Sequence, residues 1–190
     1  MIKKSYNSAA ILILIAIFSW SCEKSYRDIL NEELESGVRY DSLFLGITMD
    51  MNRKDFYAHC WELNNKGVVI NGPSNLSVEY RLKEELKKPG YLRFYPQFEN
   101  DKIKVMDMEF GYTDWAPWNE SLKVDSLMYD VTRMLEKWYG NRDFIYLEDD
   151  ENRKVWVKID GNRRIRLWKK DLRRIQGEII DVTSIKETGK

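Results

Sequence analysis

The chain is expected to fold as an α+β domain, an antiparallel sheet of meandering strands with two main helices packed on one of its faces. Three observations predict it. Residues 52–66 and 119–139 carry apolar side chains at steps of three and four, the helical period. The stretches after each of them alternate apolar and polar residues between clusters of Gly, Pro, Asn and Asp, as short strands joined by turns do. The order strand, helix, four strands, helix, four strands suggests two helix-plus-meander units, residues 41–114 and 115–190, although no matching residues relate the halves.

The N-terminus holds Lys3 and Lys4, an apolar run over residues 9–18, then Ser19-Trp20-Ser21-Cys22. A charged start, a short apolar core and a small residue at the cut are the parts of a secretory signal. The run falls short of the roughly 20 apolar residues that cross a bilayer, so residues 1–21 are expected to be a removed leader. The cut resembles a lipobox, at which the cysteine, here Cys22, receives acyl chains. Ser21 is the small residue expected before it, whereas Ser19 replaces the usual aliphatic residue and Trp20 is bulky. Acyl chains hold a protein on a membrane through about 0.8 kcal/mol per buried methylene. Simple secretion and an uncleaved anchor are the alternatives. The expected location is the bacterial envelope, the outer membrane foremost.

Residues 22–40 are polar apart from a few apolar residues such as Ile29, Leu30 and Leu34, and read as a tether with a helical turn or two ending at Gly37. Strand character begins at residues 43–48. In the helix at 52–66, Asn52 is the N-cap and Gly67 the stop. Phe56, Cys60 and Leu63 form its core stripe, flanked by Tyr57 and Trp61. Asn52, Asp55, His59, Glu62 and Lys66 share the opposite side, so Cys60 is expected in the core and His59 in solvent. Strands follow at 68–70, 76–82, 91–98 and 103–112, separated by turns at 71–75, 88–90 and 99–101. The helix at 119–139 places Val124, Leu127, Val131, Leu135 and Trp138 on one broad stripe closed by Gly140. Strands at 144–147, 154–159, 164–168 and 178–182 complete the chain. Asp160-Gly161 is its strongest hairpin signal, fitting a type I′ turn.

Charge is balanced at 31 basic and 31 acidic residues, so no global field points to nucleic acid. With Cys22 acylated, Cys60 has no disulfide partner. His59 is the single histidine, and its neighbour Cys60 diverges from it on a helix, which leaves nucleophilic catalysis without a base. Zinc would need several Cys or His ligands; the acidic run 148–151 lacks the spacing and glycine of a calcium loop. No glycine-rich phosphate cradle occurs. No cofactor or metal is therefore expected.

Two features stand out as candidate contact surfaces. Trp115 and Trp118, spaced by Ala-Pro before a helix, read either as a lid over the core or as an exposed platform for a sugar or a partner. In the basic hairpin, Val155, Val157 and Ile159 share one face, with Lys154, Trp156 and Lys158 on the other, while Ile165 and Leu167 oppose Arg164, Arg166 and Trp168. The wet face of arginine, lysine and tryptophan reads as an ordinary solvated sheet, or as a contact for anionic glycans, lipid headgroups or an acidic protein. Nucleic acid is not expected for an exported chain.

Phe44-Leu45-Gly46, Cys60-Trp61-Glu62-Leu63-Asn64, Phe94-Tyr95-Pro96, Trp115-Ala116-Pro117-Trp118-Asn119, Trp138-Tyr139-Gly140 and Asp160-Gly161-Asn162-Arg163-Arg164 resemble an uncharacterised family of lipoproteins from Bacteroidota-type bacteria over nearly the whole mature chain. The resemblance implies export and anchoring and brings no activity. In coarse topology alone, the tandem plan is similar to outer-membrane assembly lipoproteins of the SmpA/OmlA kind and to β-lactamase inhibitor protein. The function expected is a non-catalytic binding or accessory module at a membrane surface. The rivals are a small carboxylate-based envelope enzyme, an inhibitor, or a glycan-binding protein.

Overall fold

The computed structural model describes residues 24–140 and 142–184 and shows an α+β fold. Its helices are α1 (Tyr26–Glu35), α2 (Arg53–Asn65) and α3 (Val124–Tyr139). Its strands are β1 (Val69–Asn71), β2 (Val78–Leu82), β3 (Gly90–Glu99), β4 (Lys102–Tyr112), β5 (Ile145–Glu148), β6 (Lys154–Asp160), β7 (Arg163–Lys169) and β8 (Arg174–Asp181). All eight form one antiparallel sheet in the order β1-β2-β3-β4-β8-β7-β6-β5. Each helix-plus-meander unit thus supplies four consecutive strands, and the last strand of each, β4 and β8, pair at the centre.

Alternation along the central strands sorts the two faces. Met106, Met108 and Phe110 of β4 lie beside Ile179, Gly177 and Ile175 of β8 on the inner face, all fully or nearly fully buried. Gly177 makes room there, because a Cβ would stand 2.7 Å from the Leu167 side chain. α3 covers this face with Leu127, Val131 and Leu135, and Phe56 of α2 and Phe44 complete the cluster. Phe44 packs edge-on to Phe94 at 4.9 Å between ring centres.

The helix expected at 119–139 is split. Asn119 caps a single 3-10 turn, Glu120–Leu122, and Lys123 is extended before α3 begins. Gly140 stops α3 at φ +97°. α2 keeps its predicted ends: the Asn52 side chain accepts from Asp55 N at 2.8 Å, and Gly67 follows the last turn at φ +69°.

Residues 43–48 are not a strand. A single bridge joins Ser42 to Thr48, and Leu45 and Gly46 take positive φ in a tight reversal that buries Leu43, Phe44 and Ile47. Burial of those alternating apolar residues mimics a strand in sequence. His59 is half-buried rather than exposed: Leu45 O lies 2.7 Å from Nε2, and since a carbonyl only accepts, Nε2 carries the proton.

The polar tether is corrected from Tyr26 onward. Ser25 and Asp28 form a capping box, and α1 lies across the outer face, burying Leu30 against Val155, Val157 and Ile159. Glu33 accepts from Gly161 N at 2.6 Å and pairs with Arg142. The strap after α1 stays docked through Arg39 on Asp181 (2.7 Å) and Tyr40 N on Asn162 Oδ1 (2.6 Å). Packed structure therefore begins at Tyr26, not at residue 41. The leader 1–21 and Cys22 lie outside the described residues.

The β6–β7 turn also differs in detail. Asp160 pairs with Arg163, so Gly161 and Asn162 are the central residues, and only Gly161 has positive φ, as in a type II′ rather than a type I′ turn. Beside it lies a buried ionic network. Lys158, fully enclosed, donates to Asp160 and to Arg142 O, both at 2.8 Å, and Arg163 donates to Ser42 O at 2.9 Å while stacking over Tyr139. Such charges persist in a core only when paired.

Candidate functional site

The two predicted tryptophans part company. Trp115 is half-buried against the main core, with the Arg173 guanidinium 5.1 Å above its ring, whereas Trp118 is 84% exposed. Leu172 O accepts from Val124 N at 3.2 Å, which brings the β7–β8 turn to the start of α3; Leu172 itself is 75% exposed. Trp115 thus acts as the lid and Trp118 as an outward projection.

The basic hairpin does not present one wet face. Antiparallel register sets Trp156 opposite Leu167 and Val157 opposite Arg166, so Trp156 lies on the inner face and Arg164, Arg166 and Trp168 on the outer one. Strand-by-strand alternation cannot show this, because it leaves open which face of one strand joins which face of the next. Trp156 packs against Tyr146 at 5.2 Å and the core margin. Arg164 donates to Tyr26 Oη at 2.8 Å beside α1. Arg166 sits between Glu178 (3.3 Å) and Asp149 (3.4 Å), and Asp149 also receives Arg153 at 2.8 Å. The acidic run therefore folds back on the basic stretch. Desolvation pushes the Asp149 carboxyl up, but the Arg153 guanidinium and the backbone N–H groups of Arg153 and Glu151 outweigh it and hold the carboxyl below the usual range. Further along the outer face Arg93 bridges Glu79 (2.8 Å) and Glu109 (3.2 Å), and Lys170 reaches Glu109 at 2.7 Å.

A different site emerges at the corner of the sheet. β2 begins with Val78 opposite Phe94, so β3 runs on beyond it from Tyr95 without a β2 neighbour on that side. α2 returns to the sheet at the same corner, joining β1 through Gly67. Tyr57, Cys60, Trp61 and Asn64 follow the spacing i, i+3, i+4, i+7 and so make one helix stripe. That stripe, β1, the turn after it and Tyr95 enclose a groove of about 340 Å³. Trp61 is 68% exposed and Tyr57 46%. The Tyr57 and Tyr95 hydroxyls hydrogen-bond at 2.6 Å, which raises the Tyr95 pKa, with burial second. Ser74 and Asn75 both take positive φ, and this turn sets Asn75 at the rim.

Cys60 lies at the groove wall, half-buried rather than fully in the core. Burial pushes its thiol up to about 11, so it stays protonated at neutral pH and is a poor nucleophile. Sequence reading assigned Tyr57 and Trp61 to the flanks of a core stripe. The missed signal was the width of that face: five large or apolar residues over two turns exceed what one buried Phe56 needs.

A second concavity, of about 480 Å³, lies over Asp130. Asp130 accepts from Tyr112 Oη at 2.8 Å and Lys87 N at 3.2 Å. Burial first, then the bond to Asp130, raises the Tyr112 pKa. The two groups satisfy each other, and Tyr112 keeps its hydroxyl proton near neutral pH. No cluster of three His, Cys, Asp or Glu suited to a metal occurs among the described residues, and no helix among them is long and apolar enough to cross a membrane.

Compared with known proteins, the chain matches no family model, no curated relative and no solved structure.

Proposed function

We propose that this protein is a binding or accessory module of the cell envelope, carried on lipid at Cys22, with its recognition surface at the α2 corner of the sheet. One observation carries the reading: large aromatic and aliphatic side chains stay exposed around a formed groove, while the charged outer face is spent on internal pairs. Trp61, Tyr57, Ile70, Leu76 and Tyr95 all lie at this corner, each more than a third exposed. Contiguous exposed apolar surface of this kind marks contact sites, whereas isolated exposed hydrophobics do not. Aromatic anchors, tryptophan and tyrosine above all, carry most of the energy of such contacts. Lipid at Cys22 places the groove at a membrane surface, supported by the leader and the small residue before the cysteine.

Two measurements test this. Labelled palmitate is expected to enter the wild-type protein and not Cys22→Ser. A Trp61→Ala protein is expected to lose envelope partners or ligands that wild type retains, with its thermal unfolding unchanged. Equal retention by both proteins would refute the assignment of the surface. Trp118 and Leu172 form a second, smaller projection at the opposite end of β7, and Trp118→Ala serves as the comparison.

A further inference from the structure

The α2 corner groove combines aromatic faces with neutral hydrogen-bonding groups, and no charged side chain lines it. Twelve residues line it and none is Asp, Glu, Lys, Arg or His, in a chain of which 33% of residues are charged. Trp61 and the Tyr57–Tyr95 pair supply ring faces and hydroxyls. Asn64, Asn71 and Asn75 supply amides. One Asn64 amide proton is taken by Val69 O at 3.1 Å, which leaves its second amide proton and its Oδ1 as donor and acceptor capacity.

Each candidate ligand class asks for something different. An anionic ligand needs a cation in the wall, and a cationic one a carboxylate; both are missing from this lining. A purely apolar side chain would cover the Asn71 and Asn75 amides, and the hydroxyl proton that the Tyr57–Tyr95 pair does not use between its own members, at a cost of about 1–3 kcal/mol for each group left buried without a partner. A neutral ring that is apolar on its faces and hydroxylated at its edge satisfies both sets of groups at once. The volume, about 340 Å³, lies at the small end of ligand pockets, which run from roughly 300 to 1,000 Å³. It suits one or two such rings rather than a long chain.

We infer that this groove binds a neutral saccharide unit, stacked on Trp61 and hydrogen-bonded by the Tyr57–Tyr95 hydroxyls and the rim asparagines. The inference rests on the binding-module reading and names its ligand class. Trp61 is the principal stacking surface because it is the most exposed of the aromatic rings. Cys60 contributes wall, not chemistry.

The test uses the full-length lipidated protein in a detergent without a sugar headgroup, titrated calorimetrically with maltose, cellobiose, mannobiose and chitobiose, and with glucuronic acid as the charged control. Saturable binding of at least one disaccharide is expected, weakened about tenfold by Trp61→Ala and unchanged by Trp118→Ala, in line with the energy of one aromatic contact plus its buried area. Tyr95→Phe, which keeps the ring and removes the hydroxyl, is expected to weaken the same disaccharide several-fold. Binding of none of the four, equal binding by Trp61→Ala, or preference for glucuronic acid would each overturn the inference. A photo-crosslinking residue at position 70, exposed at the groove wall, with Trp61 kept, separates the two levels. A protein adduct from an envelope extract, without saccharide binding, removes the saccharide and leaves the binding module standing. Neither adduct nor saccharide removes both.

Discussion

Replacing Gly161 with alanine probes how the segment before the domain is locked to the β6–β7 hairpin. Gly161 has φ +54°, and a Cβ built on it would stand 2.3 Å from Val38 O, a backbone atom of the strap that cannot rotate aside. An L-residue in that region costs about 1–2 kcal/mol by itself. Relieving the clash moves the strap and strains two contacts, Gly161 N to Glu33 and Tyr40 N to Asn162, each 2.6 Å long. Losing them costs about 1 kcal/mol for the neutral bond and about 1.5–3 kcal/mol for the one to a carboxylate. Gly67→Ala is the matched control, since Gly67 has φ +69° and nothing within 4 Å of its virtual Cβ. Both substitutions stiffen the unfolded chain by a similar few tenths to 1 kcal/mol, which cancels in the comparison. Gly161→Ala should therefore be about 3 kcal/mol less stable than Gly67→Ala, or about 6–12 °C lower in Tm for a domain of this size. Urea and thermal unfolding by circular dichroism measure it. Equal stabilities within 0.5 kcal/mol, a margin of about the additivity error, would show that the strap does not bear on the hairpin.

Further expectations follow from single features. Leu30→Ala should cost about 2–4 kcal/mol and open the residues before Ser42 to limited proteolysis, because Leu30 is the buried centre of the α1 cluster. Asp181, whose desolvation is outweighed by bonds from Thr183, Asn162 and Arg39, titrates below its ordinary 3.8. A carboxyl depressed on folding contributes stability that is complete above that ordinary value and drains as pH falls through the lower folded value. Asp181→Asn should accordingly flatten the acid limb of the stability profile below about pH 4, as read by unfolding midpoints at several pH values. With its thiol near 11 instead of 9.0, Cys60 should react with iodoacetamide at pH 8 about a hundredfold more slowly than a free cysteine, measured by mass spectrometry.

Local signals carried most of the fold. Asn52, Gly67 and Gly140 mark helix ends by backbone chemistry that acts within a few residues, and they stand where expected. Alternation along β3 and β4 placed those strands, whereas the last one, expected at 178–182, begins earlier, at Arg174, because Gln176 and Gly177 break the apolar pattern. Three things depended on long-range partners and so stayed hidden. Leu43, Phe44 and Ile47 are apolar because the core surrounds them, and nothing nearby distinguishes a plug from a strand. Leu30 and Leu34 gave α1 too narrow a stripe to imply docking, since its mate, Val155–Val157–Ile159, lies more than a hundred residues away. The face shared by Trp168 and Val155 was fixed by a pairing register that alternation within either strand leaves open. The corner groove was missed for a related reason: Tyr57 and Trp61 are visible as a helix stripe, but Tyr95 joins them only because β2 begins no earlier than Val78, opposite Phe94.

The placement of β8 sets the tempo of folding. This strand leaves the ribosome after all the others, yet it occupies the middle of the sheet, where Val105 meets Ile180 across some 75 intervening positions. Neither meander can complete its inner layer until that last piece arrives, and contacts this distant in sequence form slowly. The centre of the sheet is consequently incomplete until β8 has been made. Under the export proposed above, that delay would keep the chain transportable through a translocation channel.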